Sequence, residues 1–299
     1  MPSIRSKIVN ATMRVTSKRH LATHALDAAS IDASRRRLDA LGAFARLPRT
    51  MRREAATLGD VPVEWTRVAN PEGVIYYCHG GGYMLGSARA YRRFLRRLAE
   101  RTQRDVAAID YRLAPEHRFP AAVNDALVGY SALLDSGYDA RSVAFAGDSA
   151  GGNLALVTML RCKAEGLPAP ASAVLMSPWT DLTASGPSYI ANRDADPMLP
   201  AHRVIDAARL YAGDVDLTHE WLSPVRADLT CLPRLYVLVG SLEILLDDAV
   251  SLVERANAAG VSARLHVWDG MPHAFPVFAD VLPEARRAID EVAAFIRRQ

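Results

Sequence analysis

Cysteine is scarce in this chain and forms no pairing pattern: Cys78, Cys162 and Cys231 are far apart, with no C-x-x-C. An odd, dispersed set excludes a disulfide framework and a thiolate metal site, and it fits buried, reduced thiols in a cytoplasmic protein. No apolar run is long enough to span a membrane. The first residues carry charges and lack an uninterrupted apolar stretch, so no secretory leader is expected. Internal repeats and low-complexity tracts are also lacking. A net charge of +3 over 299 residues is too small to mark a nucleic-acid-binding surface. Half of the residues are hydrophobic, enough for a large core in one α/β domain with an elaboration, or in two small domains.

The charge is unevenly spread. Residues 1–53 hold twelve Lys/Arg against three Asp, a local +9 that leaves −6 for the remainder. Apolar residues recur there at helical spacing (Ile4, Ile8 and Met13, then Ile31, Leu38 and Leu41), interrupted by Arg35-Arg36-Arg37. One reading is a patch for a membrane surface or an acidic partner. The favoured reading is a set of helices with solvated basic faces, packed over the main domain.

The chain is organised around Gly147-Asp148-Ser149-Ala150-Gly151-Gly152. An apolar run, Ser142 to Ala146, enters it and a helix-like run, Asn153 to Ala164, leaves it. Read as strand, tight turn and helix, G-x-S-x-G is the geometry of a nucleophile elbow. A serine on so sharp a turn has a strained backbone, and glycine two residues to either side avoids collision with the strand and helix. The turn also leaves the Ala150 N–H free at a helix N-terminus, where developing negative charge is stabilised. The pattern alone is common, and a phosphate-holding glycine loop would look similar. However, neither a following Lys-Ser/Thr nor G-x-G-x-x-G is present.

Upstream, Val61 to Val68 alternates like an early strand, and Val74 to Cys78 reads as a strand covered on both faces. It runs into His79-Gly80-Gly81-Gly82, a loop whose bare N–H groups could approach a tetrahedral intermediate; His79 is expected to brace it. A helix over Tyr91–Arg101 and a strand over Val106–Tyr111 follow, then Asp110-Tyr111-Arg112-Leu113-Ala114-Pro115-Glu116-His117 and Phe119-Pro120-Ala121-Ala122, leading to a helix with Asp125. Later come a strand over Ala171–Met176 ending at Ser177-Pro178-Trp179-Thr180-Asp181, and the Asp194-to-Pro200 run before a helix over Val204–Tyr211. Strands over Leu235–Val239 and Arg264–Trp268, the Met271-Pro272-His273 loop and a closing helix over Leu282–Ile296 complete the chain.

From about residue 60 onward, these motifs and their order resemble the hormone-sensitive lipase family, the bacterial family IV of lipolytic esterases. The resemblance implies an α/β-hydrolase fold: a mostly parallel central sheet flanked by helices, with a helical cap. The expected division is N-terminal cap helices over 1–55, catalytic domain over 56–184 and 216–299, and a second part of the cap over 185–215. The resemblance also implies oxyanion donors at Gly81 and Gly82, supported by Gly80 and joined by Ala150, with Ser149 as nucleophile. Chain order Ser, acid, His makes His273 the general base; His266 is the rival, but it lies within a strand. His20, His24, His202 and His219 are scattered without metal-ligand spacing.

Three carboxylates compete for the acid. The position matching the family's usual Asp is Glu243, which departs from that residue yet can orient a histidine as Asp does. Asp247 is the runner-up, and Asp248 beside it suits a helix start. The implied activity is hydrolysis of short- to medium-chain carboxylic esters through an acyl-enzyme, without metal or organic cofactor. Alternatives are a lipase for longer chains at a membrane surface, an amide or peptide hydrolase, and a non-catalytic receptor. Receptors on this fold lose the histidine that stands here as His273. A small-molecule ester is the expected partner, and the resemblance carries a homodimer through the edge near the last strand.

Overall fold

The computed structural model describes residues 1–23 and 25–297; His24 lies outside them. Helix α1 (Ile4–Met13) is capped by Ser3, whose hydroxyl accepts the Ser6 N–H, and runs through a π-helical stretch, Arg14–Lys18, into α2 (Arg19–Thr23). Asp27 caps α3 (Ala28–Ala43) by accepting the Ser30 N–H. The sheet then begins with β1 (Arg52–Leu58) and β2 (Val61–Arg67), an antiparallel hairpin turned at Gly59-Asp60. There follow β3 (Val74–Cys78), α4 (Ala88–Thr102), β4 (Asp105–Ile109), α5 (Ala121–Asp135), β5 (Val143–Asp148), α6 (Ala150–Ala164) and β6 (Ser172–Met176). Two helices, α7 (Ser188–Ala191) and α8 (Ala201–Ala212), interrupt the alternation before β7 (Arg234–Gly240), α9 (Leu246–Ala258), β8 (Ala263–Trp268) and α10 (Pro283–Arg297).

The strands form one sheet in the order β1-β2-β4-β3-β5-β6-β7-β8. Pairing is antiparallel as far as the β2–β4 contact and parallel from there on. Period-two alternation splits the central strands between two cores. Val74, Tyr76 and Cys78 belong to the core lined by α5, α6 and α9, whereas Ile75 and Tyr77 belong to the core lined by α4 and α10. All five β3 residues are fully buried, which accounts for their unbroken apolar run.

Two expectations need correction. The boundary drawn at residue 55 falls inside β1, because Arg52–Leu58 pairs with β2 although its alternation is masked by exposed Arg52, Glu54 and Thr57. The helical-period apolar residues of the N-terminal segment also do not all face inward. Met13 and Ile31 are buried, but Ile4, Ile8 and Leu41 face solvent. Among the basic run, Arg35 is drawn into the structure: it donates to the carbonyls of Met84 and Ala114 and pairs with Glu116, tying α3 to the segment after the glycine loop.

The chain moves from β3 to β4 on one side and returns to β5 on the other. Such a reversal opens a crevice at the carboxyl ends of the strands. Cys78 pairs with Gly147 across that point, so the loops following β3 and β5 are neighbours. The pairs Asp148–Met176, Met176–Leu238 and Gly240–Trp268 carry the same edge outward, bringing the loops after β5, β6, β7 and β8 into one row.

Candidate active site

Ser149 sits between β5 and α6 with φ 54° and ψ −123°, a left-handed conformation costly for a non-glycine residue. Its N–H donates to the Met176 carbonyl at 2.9 Å, and its carbonyl accepts the Trp179 N–H at 3.1 Å, so the neighbouring β6 edge holds the turn. A Cβ on Gly151 would overlap the carbonyl oxygens of Cys78 and His79, which explains why only glycine lets α6 approach β3 this closely. Ser149 is half-buried.

The glycine loop is fastened to the same turn. Gly80 N–H donates to Asp148 Oδ1 at 3.0 Å; the same oxygen accepts Tyr77 OH at 2.6 Å, and Oδ2 accepts Tyr91 OH at 2.8 Å. Burial pushes the Asp148 pKa up against the pull of the two tyrosine hydroxyls. The His79 ring stacks on Tyr111 at 4.4 Å, and Tyr111 OH donates to the His79 carbonyl at 2.6 Å. His79 therefore braces the loop. The Gly80 N–H is occupied by Asp148, so its expected supporting contribution reduces to position. The N–H groups of Gly81 and Gly82, and of Ala150 at the first residue of α6, have no acceptor among the described residues. Next to the loop, Tyr83 OH donates to Asn153 Oδ1 at 2.7 Å, and the Tyr83 ring stacks on Tyr211 of α8 at 3.7 Å.

Glu243 and His273 meet beyond β7 and β8. His273 Nδ1 donates to Glu243 Oε2 at 2.8 Å, and both residues are buried. Glu243 Oε1 accepts Ser177 Oγ at 2.7 Å together with the Gly240 N–H, while Ser177 Oγ accepts the Ala274 N–H at 3.0 Å. One serine thus joins the acid to the residue after the histidine. Burial alone would lower the His273 pKa. The hydrogen bond and charge of Glu243, with Asp196 and Asp148 nearby, outweigh it and hold the imidazole above its ordinary value. Burial raises the Glu243 pKa, opposed by its bonds from His273, Ser177 and Gly240.

The other carboxylates serve elsewhere. Asp247 accepts the Ser188 N–H at 2.6 Å at the start of α7, and Asp248 accepts the N–H groups of Thr180 and Asp181. His266 pairs with Glu291 of α10 at 2.7 Å. No hydrogen bond joins Ser149 Oγ to His273 among the described residues, which leaves His273 Nε2 as the ring nitrogen not engaged by Glu243. Sequence reasoning missed Asp148, Ser177, Asp196 and Asn192. Asp196 accepts the Ile244 N–H at 3.0 Å, and Asn192 donates to the Glu243 carbonyl at 2.8 Å, so the segment before α8 grips the loop of the acid. No local signal marked Asn192 or Asp196, which sit in a largely polar run.

A family model described as the α/β-hydrolase fold matches residues 75–277. An acetyl-hydrolase of Streptomyces hygroscopicus is 39% identical over 245 residues, covering 82% of each chain. An esterase of Acinetobacter venetianus is 35% identical over 290 residues, covering 96% of this chain and 93% of that one. A crystal structure of an esterase from the bacterial hormone-sensitive lipase family superposes with a TM-score of 0.92 at 38% identity, over 100% of this chain and 99% of the other. With a strained serine between β5 and α6, a glycine loop beside it and matches along nearly the whole chain, this protein belongs to the hormone-sensitive lipase family of the α/β-hydrolase fold and is a serine ester hydrolase.

Proposed function

We propose that Ser149, His273 and Glu243 act as a catalytic triad on short- to medium-chain acyl esters, with Gly81, Gly82 and Ala150 donating to the oxyanion. The observation that carries the reading is the buried 2.8 Å pair of His273 Nδ1 and Glu243 Oε2, on the same sheet edge as Ser149. Glu243 fixes the imidazole so that Nε2 takes the proton from the serine hydroxyl as Oγ bonds to the ester carbonyl carbon. Closure of that hydrogen bond on substrate binding is normal for hydrolases with a looser free state.

The tetrahedral oxyanion faces donors already aligned by the glycine loop and the α6 terminus, so no dipole has to reorient during the step. His273 then gives the proton to the leaving alkoxide as the carbon–oxygen bond breaks. Water, deprotonated by the same imidazole, attacks the acyl-enzyme; collapse returns the proton to Ser149 and frees the acid. The acyl-length assignment is supported by the acetyl-hydrolase name of a 39% identical relative.

The reduced thiols of Cys78 and Cys162, both buried, support a cytoplasmic setting. No helix among the described residues is long and apolar enough to cross a membrane. Pairing of two copies through the β8 edge is part of the same reading and is tested by light scattering. The deciding experiment for function is hydrolysis of p-nitrophenyl esters from acetate to palmitate by wild type and Ser149→Ala. A maximum at short chains that vanishes in the variant supports the proposal. A maximum at palmitate overturns the acyl-length assignment, and retained activity in the variant overturns the nucleophile.

A further inference from the structure

Helix α1 is turned outward. Its inner face is largely small or polar: Ser6 is fully buried, Asn10 donates to the Gly270 carbonyl at 2.9 Å, and only Met13 and Val9 add apolar contact. Its outer face is apolar. Ile4, Ile8 and Ala11 of α1 and Val15 of the π-helical stretch that continues it follow one another at spacings of four, three and four, which places them along one stripe. All four are exposed, with Ile4 at 77%, Ile8 at 60% and Val15 at 68%. Single exposed apolar residues are ordinary on a protein surface; a continuous row of apolar side chains along one helical segment marks a contact face.

The charge around the stripe identifies what fits it. Residues 1–26 hold five Lys/Arg and no Asp or Glu. Arg14 and Lys18 turn inward, donating to the carbonyls of Ala195, Arg193 and Asp196, and so pin the helix to the segment before α8. Arg5, Lys7 and Arg19 are exposed and make no ion pair among the described residues. An apolar stripe with free cations beside it complements the surface of an anionic bilayer: the side chains enter the acyl boundary while the cations meet the headgroups.

We propose that α1 is a docking surface for anionic lipid, seating the enzyme on a membrane with its cap toward the bilayer. The helix is held for this by contacts to both functional halves, since Asn10 binds Gly270, three residues before His273, and Lys18 binds the Asp196 carbonyl. Docking at α1 therefore places the loop of His273 and the cap segment near the lipid surface. The docking is separate from the ester hydrolysis itself.

The test uses the untagged full chain and vesicles of phosphatidylcholine alone or mixed with phosphatidylglycerol. Wild type should co-sediment with the mixed vesicles at least about tenfold more strongly than with neutral ones, and added salt should weaken the binding. Ile4→Ser/Ile8→Ser/Val15→Ser, and separately Arg5→Glu/Lys7→Glu/Arg19→Glu, should each lose about tenfold or more of that binding. Both variants should hydrolyse p-nitrophenyl acetate as wild type does, because none of these residues belongs to the site. Failure of wild type to bind the mixed vesicles overturns the proposal, as does equal binding by the serine variant. A lipid-free dimer that the serine variant converts to monomer also overturns it, since the stripe would then join two copies of this chain.

Discussion

The Gly80 N–H donates to the carboxylate of Asp148 at 3.0 Å, so the residue just before Ser149, the proposed nucleophile, holds the glycine loop proposed to carry the oxyanion donors. Cys78 and Gly147 are paired neighbours, and the strand register itself brings these two loops together. Asp148 then converts proximity into a fixed distance, with Tyr77 and Tyr91 satisfying its other lone pairs. Replacing it by Asn leaves one acceptor oxygen and aims an amide at existing donors. Asp148→Asn should therefore cost about 1–3 kcal/mol of stability through unsatisfied buried groups. It should also lower kcat on p-nitrophenyl acetate more than it raises KM. Thermal melts and steady-state kinetics measure both effects, and unchanged kcat would show that the loop keeps its position without Asp148.

Ser149→Ala should reduce turnover by about 10⁶. The fold should survive, because the backbone bonds to Met176 and Trp179 do not involve the hydroxyl. Circular dichroism and a thermal melt beside the ester assay separate lost chemistry from lost structure.

The assignment of the acid can be read from a pair of variants. Glu243→Gln keeps the volume but removes the charge facing His273, and should lower kcat by about 10³–10⁴. Asp247→Asn should leave kcat within about tenfold of wild type, because its carboxylate bonds the Ser188 N–H rather than the imidazole. Comparable losses in both would contradict the proposed division of labour.

The pH dependence has a fixed sign. In the proposed mechanism His273 must be neutral to accept the serine proton, and its pKa is held above the ordinary 6.5. The acid limb of kcat/KM should accordingly fall as pH drops through a value above 6.5. In Glu243→Gln the charge that raised the pKa is gone while burial remains, so the residual activity should titrate at lower pH than wild type. A limb that moves upward in the variant would show that another group is being titrated.

The glycines divide by cause. Gly151→Ala places a methyl against the carbonyl oxygens of Cys78 and His79 at the end of β3 and should cost several kcal/mol, about 3 or more, or prevent folding. Gly82 has φ +64°, and an added Cβ would meet only Met84 and Ala207 side chains, at 3.7 and 3.9 Å, so Gly82→Ala should cost chiefly the conformational penalty, about 1–2 kcal/mol. Chemical denaturation of the two variants compares them directly.

Much of the fold was legible because the central strands are buried on both faces and so appear as unbroken apolar runs, as at Val74–Cys78 and Val143–Ala146. β1 was not legible. It is an edge strand whose exposed residues are mostly polar, and its place depends on β2 rather than on its own pattern. For the same reason, the roles of Asn192 and Asp196 stayed hidden: their partners lie about fifty residues away, on the loop of Glu243.

The order of motifs along the chain determined the family and the positions of Ser149, His273 and the glycine loop, because each of these needs a local backbone geometry that few residue types allow. Glu243 and Asp247 are only four residues apart; the match to the family position favoured Glu243 over Asp247, but spacing alone does not show which carboxylate faces the histidine. The tertiary structure does, by carrying His273 from the loop after β8 to Glu243 and turning Asp247 toward α7. Helical period likewise marked Ile4 and Ile8 as one face of a helix. Only the packing of α1, with Ser6 and Asn10 against the body, decided that this face looks outward.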